Sequence, residues 1–223
     1  MANIFSTSIG KKLMLAAAGL FLISFLLIHL TINLLIIIFE DPKQFNLAAH
    51  FMGTNIVIKV FEIILFGGFL LHIIFGFIVQ IMNWISRPHG YKVTNNQQTS
   101  FFSKFMIHTA IIILIFLVIH LFDFYLKAKI FGEVPDIVYD GKEYHNLGAL
   151  VLAKFKILWV VIFYIISFVF LGFHLLHGFQ SAFQTLGLDH KTYTPFIKTL
   201  GVIITVIIVA GFTTIPLVIY FTR

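Results

Sequence analysis

The 223-residue chain has no cysteine. That excludes disulfides, thiolate-held iron–sulfur clusters and the C-x-x-C-H attachment of a covalent haem. Any haem bound here is held non-covalently. Charge is also scarce: 11% of residues are Asp, Glu, Lys or Arg, against 60% hydrophobic, and mean hydropathy is +1.02. Soluble domains do not have this balance, and membrane proteins do. The glycine fingerprint that follows a strand in flavin-binding domains is missing too.

What is present is apolar and basic. The formal net charge is +6, which in a nucleic-acid binder would gather on one basic face. Here the 15 Lys and Arg lie between and beside apolar runs. They read as the flanks of membrane helices, with lipid as the surrounding partner and no nucleic acid. Lys11-Lys12 precede an apolar run that continues from Leu13 to Phe39. It is far too long for a cleavable signal segment and no A-x-A site follows it, so it reads as an uncleaved span.

Five apolar runs each exceed the roughly 20 residues needed to cross a bilayer. They are expected at about 13–39, 56–83, 104–126, 155–183 and 196–221. The expected fold is all-α: one transmembrane domain over 1–223, a four-helix bundle with one peripheral helix. Ser6, Thr7 and Ser8 are candidate caps for the first helix, and Glu40-Asp41-Pro42-Lys43 is its stop signal. A short interfacial helix is expected near 48–50. The longest connection, 127–154, carries the turn signal Asp140-Gly141, and Pro216 predicts a kink in the last span. Five spans put the termini on opposite sides. The N-terminal side, side A, would hold seven basic residues and one acid, Asp189; side B would hold eight of each. The basic counts alone do not decide orientation, but the compact basic loops favour side A as cytoplasmic.

Four spans carry a histidine at depth, where an ionisable side chain is costly and marks a functional site by default. His29, His72 and His120 lie 16 residues into their runs and His174 lies 19 into its own. Because alternate helices run in opposite directions, His29 and His120 fall toward side B, and His72 and His174 toward side A. At about 1.5 Å rise per residue the two levels are roughly 10–15 Å apart. The local contexts repeat this pairing: His72 and His174 each have a glycine four residues on, Gly76 and Gly178, and His29 and His120 are each followed by Leu. Two imidazoles on one iron fill both axial positions and leave an electron carrier with no oxygen site. Spacing leaves open both haem ligation and a histidine-based metal or proton transporter. It also leaves open His174 against His177, three residues away on nearly the same face; the parallel with His72 and Gly76 favours His174. His108 is at the side A end of its run, and His50, His89, His145 and His190 are loop residues.

With these histidines in order, the chain resembles the cytochrome b membrane-anchor subunits of succinate dehydrogenase and di-haem fumarate reductase. Ile28-His29-Leu30, the 46–52 segment Asn-Leu-Ala-Ala-His-Phe-Met, Leu71-His72, Ile119-His120 and Phe173-His174 through Gly178 carry the likeness. The resemblance implies two non-covalent bis-histidine haems b. His29 and His120 would ligate the distal haem iron, and His72 and His174 the proximal one. It implies a bacterial plasma membrane, a cytoplasmic N-terminus, and flavoprotein and iron–sulfur partner subunits on the cytoplasmic face, in a complex open to higher oligomers. Electrons would pass between the iron–sulfur subunit and membrane quinone, with menaquinone expected; this subunit alone would not oxidise succinate. Quinone-site candidates are Glu62 and Asp123, whose carboxylates suit proton exchange. Arg87, Lys92 and Lys104 are candidates for neutralising haem propionates or docking the iron–sulfur subunit. Di-haem anchors of hydrogenase or formate dehydrogenase type are the alternative within the same chemistry.

Overall fold

The computed structural model describes residues 7–85 and 105–223. Within them five helices are long and apolar enough to cross a membrane, and the fold is all-α apart from one hairpin. Helix α1 (Ser8–Ile38) starts where the Thr7 hydroxyl accepts a hydrogen bond from Gly10 N–H at 3.0 Å. That side chain satisfies one of the amides a helix start leaves unpaired. A short helix α2 (Lys43–Thr54) follows and leads into the second span, α3 (Ile56–Ile85). The expected interfacial helix is therefore longer than the 48–50 core proposed for it.

The third span, α4, is α-helical over Met106–His120 and π-helical over Leu121–Phe131, ending at the left-handed Gly132. It runs past the expected limit near residue 126. A two-stranded antiparallel hairpin comes next, β1 (Asp136–Tyr139) and β2 (Lys142–His145). Its two-residue turn is the predicted Asp140-Gly141, both with positive φ, 51° and 78°; that pair suits the right-handed twist of a tight hairpin. Helix α5 (Leu147–Phe155) is then separated from the fourth span, α6 (Leu158–Thr185), by a break at Lys156 and the extended Ile157. The fourth span thus begins at Leu158, not near 155, and His174 lies as far into α6 as His72 does into α3. The fifth span, α7 (Thr194–Thr222), continues through the buried Pro216 to its end.

The long helices pack unequally. Helices α1, α6 and α7 press on one another backbone to backbone, and α4 packs on α6. Ile208 and Ile219 of α7 and Val160 of α6 are essentially sealed. The histidine-free helix α7, expected beside the bundle, is thus among its most deeply packed members. Among the described residues helix α3 packs closely on α1 and α2, and Phe75 is its one buried residue. Neither α1 with α4 nor α3 with α6 makes a close backbone interface among the described residues.

Over the side B end, α2, the hairpin and α5 form a polar-stitched cap. Asn46 is completely buried. Its Oδ1 accepts from Gly148 N–H at 2.8 Å, and its Nδ2 donates to Tyr139 Oη at 3.1 Å and Asn146 Oδ1 at 3.0 Å. One amide therefore joins three elements, as a buried polar group must to offset its lost hydration. At the same end Arg223 donates to the carbonyls of Glu40 and Phe39. This pins α7 to the exit of α1 and supplies donors and positive charge where a helix has neither.

Candidate functional site

Each histidine is fixed by a long helix, so its depth follows from the rise per residue and its direction from the helix face. The imidazoles meet in two pairs. The ring centres of His29 and His120 are 5.8 Å apart, and those of His72 and His174 are 6.1 Å apart. These are the pairings expected from alternating helix direction. Two imidazoles sharing an axial iron, at about 2 Å per bond with each ring centre about 1 Å beyond, put their centroids roughly 6 Å apart.

Both pairs bridge helices whose backbones stand off from each other: α1 to α4 for one, α3 to α6 for the other. The rings meet where, among the described residues, the two backbones make no close interface. Nδ1 of His72, His120 and His174 is sealed from solvent and has no hydrogen-bond partner among the described residues. Buried polar atoms are nearly always satisfied, so such orphans call for an explanation. These donors suit a bis-histidine haem. Each pair could supply two imidazole nitrogens to one iron held without a covalent link. Among the described residues no three His, Asp or Glu converge as a protein-only metal centre would need.

The side B pair sits in an aromatic shell. Phe25 stacks on His29 at 5.2 Å and Phe116 on His120 at 5.6 Å, while Phe212 of α7 approaches His29 at 5.8 Å. Tyr164 of α6 approaches His120 at 6.2 Å; it is 2% exposed and its hydroxyl has no partner among the described residues. Such a shell lowers the local dielectric and excludes water, two of the levers that set a redox potential.

The two candidate carboxylates lie toward the same end, in different settings. Glu62 of α3 accepts from Tyr125 Oη at 2.6 Å and pairs with Lys129 Nζ at 3.3 Å. Both partners come from the π-helical part of α4, so this cluster spans the seam between α3 and α4. Asp123, also on the π-helical stretch, is buried and pairs with Lys154 of α5 at 2.6 Å. π-Helical turns recur at functional sites. Here the wider turn begins directly after His120, with Asp123 engaging α5 and Tyr125 and Lys129 engaging α3. Tyr125, Lys129, Lys154 and Tyr164 were not singled out from the sequence. Their partners are tens of residues away, and the only local signal was their polarity within an apolar span.

The other histidines among the described residues join neither pair. His177 is half-buried one turn after His174. His108 is exposed, with its ring 5.8 Å from Phe105. His50 packs on Tyr144 at 4.8 Å, and His145 donates to Asp136 at 2.7 Å, within the cap. His190 lies in the turn before α7, where its N–H donates to Thr194 Oγ1. Of the α3 glycines, Gly68 faces Phe21, Gly76 faces Leu15, and a Cβ on Gly67 would meet nothing within 4 Å among the described residues. Gly178 faces Met106. His89, Arg87, Lys92 and Lys104 lie outside the described residues.

Comparison with protein-family models, with curated proteins and with solved structures finds no match for this chain.

Proposed function

We propose that this chain is a di-haem cytochrome b membrane anchor of the succinate dehydrogenase or fumarate reductase type. One observation carries the reading. Two imidazole pairs at the centroid spacing of a shared iron, 5.8 and 6.1 Å, each join two different long helices, one pair toward each end of the spans. His29 and His120 would hold one haem b, and His72 and His174 the other. When bound, such a group supplies one-electron transfer and has no free axial position for oxygen. The protein's part is to hold the rings, to exclude water with Phe25, Phe116 and Phe212, and to set the spacing of the two levels.

At the side B end Glu62 is the better candidate for proton exchange with a quinone. It stands at the α3–α4 seam, 23% exposed, beside the Tyr125 phenol. Asp123 is enclosed with its counter-ion Lys154. The flavoprotein and iron–sulfur partners on the side A face, menaquinone as substrate, the bacterial plasma membrane and the cytoplasmic N-terminus rest on the family resemblance alone.

The test is gentle extraction of the chain from its own membranes. A reduced-minus-oxidised difference spectrum with a b-type α-band and a co-purifying covalently flavinylated subunit are expected. An α-band with a different partner enzyme would move the chain to another di-haem anchor class. A preparation with no α-band would refute the haem reading itself.

A further inference from the structure

The His72 ring lies between His174 and α1, the helix behind it. Gly19 is on the α1 face that meets α3. A Cβ built on Gly19 would lie 3.3 Å from His72 Cε1 and 3.6 Å from its Nδ1. The imidazole is thus backed against bare helix on one side and faces His174 at 6.1 Å on the other. We propose that Gly19 is a positioning residue for His72: the missing side chain lets the imidazole settle onto α1 and so sets its reach toward His174. This rests on the reading of the pair as haem ligands.

The same interface contains its own control. Gly68 of α3 meets Phe21 of α1, with a built Cβ 3.2 Å from the ring. The clearances at the two glycines are nearly equal, but at Gly68 the ring is not a candidate ligand. If glycine only served close helix packing, the two positions would respond alike. If Gly19 acts through His72, only Gly19 variants change a haem.

The experiment uses the full chain in haem-replete membranes. Haem content is read by pyridine haemochrome, and each haem by its low-spin electron paramagnetic resonance signal and its midpoint potential. Gly19→Ala should keep both haems and shift the signal and potential of one, the same one that His72→Ala abolishes. Gly19→Leu should lose roughly half the bound haem, since one of two sites is displaced. Gly68→Ala should leave both signals at their wild-type positions. Wild-type signals in both Gly19 variants would overturn the inference, as would an equal shift of the same signal in Gly68→Ala. A wild-type chain that binds no haem would overturn the functional reading beneath it, a result distinguishable from either.

Discussion

The two flanks of this molecule are built to different tolerances. On one flank α1, α6 and α7 interlock. A Cβ at Gly201 of α7 would lie 2.7 Å from Phe179 of α6, and one at Gly211 would lie 2.7 Å from Leu30 of α1. On the other flank, among the described residues, α3 packs its backbone closely on α1 and meets α4 through side chains such as Glu62 with Tyr125, and a Cβ at Gly67 would meet nothing within 4 Å. Both flanks are equally apolar, so hydrophobicity does not explain the contrast. The close flank acts as a scaffold, and both histidine pairs join helices that make no close backbone interface with each other among the described residues. In lipid a helix gains little by burying apolar surface against another helix. A gap in such a bundle is therefore cheap to keep, and function can use it.

The largest expected effect comes from breaking the pairs. Alanine at any one of His29, His72, His120 or His174 should remove roughly half of the α-band, because one axial ligand alone does not hold a bis-histidine haem. His29→Ala combined with His120→Ala should lose no more than either single variant. His120→Ala combined with His174→Ala should lose everything. Equal losses in both double variants would contradict the two-pair arrangement.

Next is the side B end. Glu62→Gln keeps the shape and removes the exchangeable proton, so quinone-linked turnover should fall by more than about tenfold with haem content unchanged. Asp123→Asn should act on stability instead, because it strands Lys154 without its counter-ion. A thermal melt in detergent, run beside the turnover assay, separates the two. If Asp123→Asn is the variant that fails in turnover while folding normally, the assignment of the acid is reversed.

The packing contrast itself is tested by adding one methyl group on each flank. Gly201→Ala forces Phe179 to move and should cost about 1–3 kcal/mol, the usual price of overpacking. Gly67→Ala should change the melting temperature little. Equal effects would mean that α3 is packed more tightly than its contacts indicate.

The smallest effect is expected at Tyr164. Its hydroxyl is buried and, among the described residues, unpaired, which is costly for a polar group. Tyr164→Phe should leave the melting temperature unchanged or raise it slightly, by about 1 kcal/mol or less in stability. A clear loss of stability would show that the hydroxyl has a partner in the assembled protein.

Much of this was legible in the sequence, for identifiable reasons. A membrane helix announces itself by length and hydropathy, and alternating direction converts residue counts into levels. That is why His29 and His120, and His72 and His174, could be paired before any coordinates. The Asp140-Gly141 hairpin turn was readable because positive φ demands those residue types. Helix α5 was hidden because its apolar residues run almost straight into the fourth span. Asn146, whose side chain accepts from Ala149 N–H at 3.1 Å, was the start signal that could have revealed it. The π-helical stretch left no such trace, since nothing in an apolar run distinguishes a wider turn. The Glu62–Tyr125–Lys129 cluster depends on that turn and on contacts between distant segments. The deep seating of α7 was also illegible, because lipid-facing and protein-facing surfaces of a membrane helix share one apolar character.

The most direct test of the account is the number and ligation of haems per chain. Pyridine haemochrome against protein concentration should give two haems b. Low-temperature electron paramagnetic resonance should show two distinct low-spin signals of bis-imidazole iron. One haem per chain, none, or high-spin iron with an open axial position would contradict it.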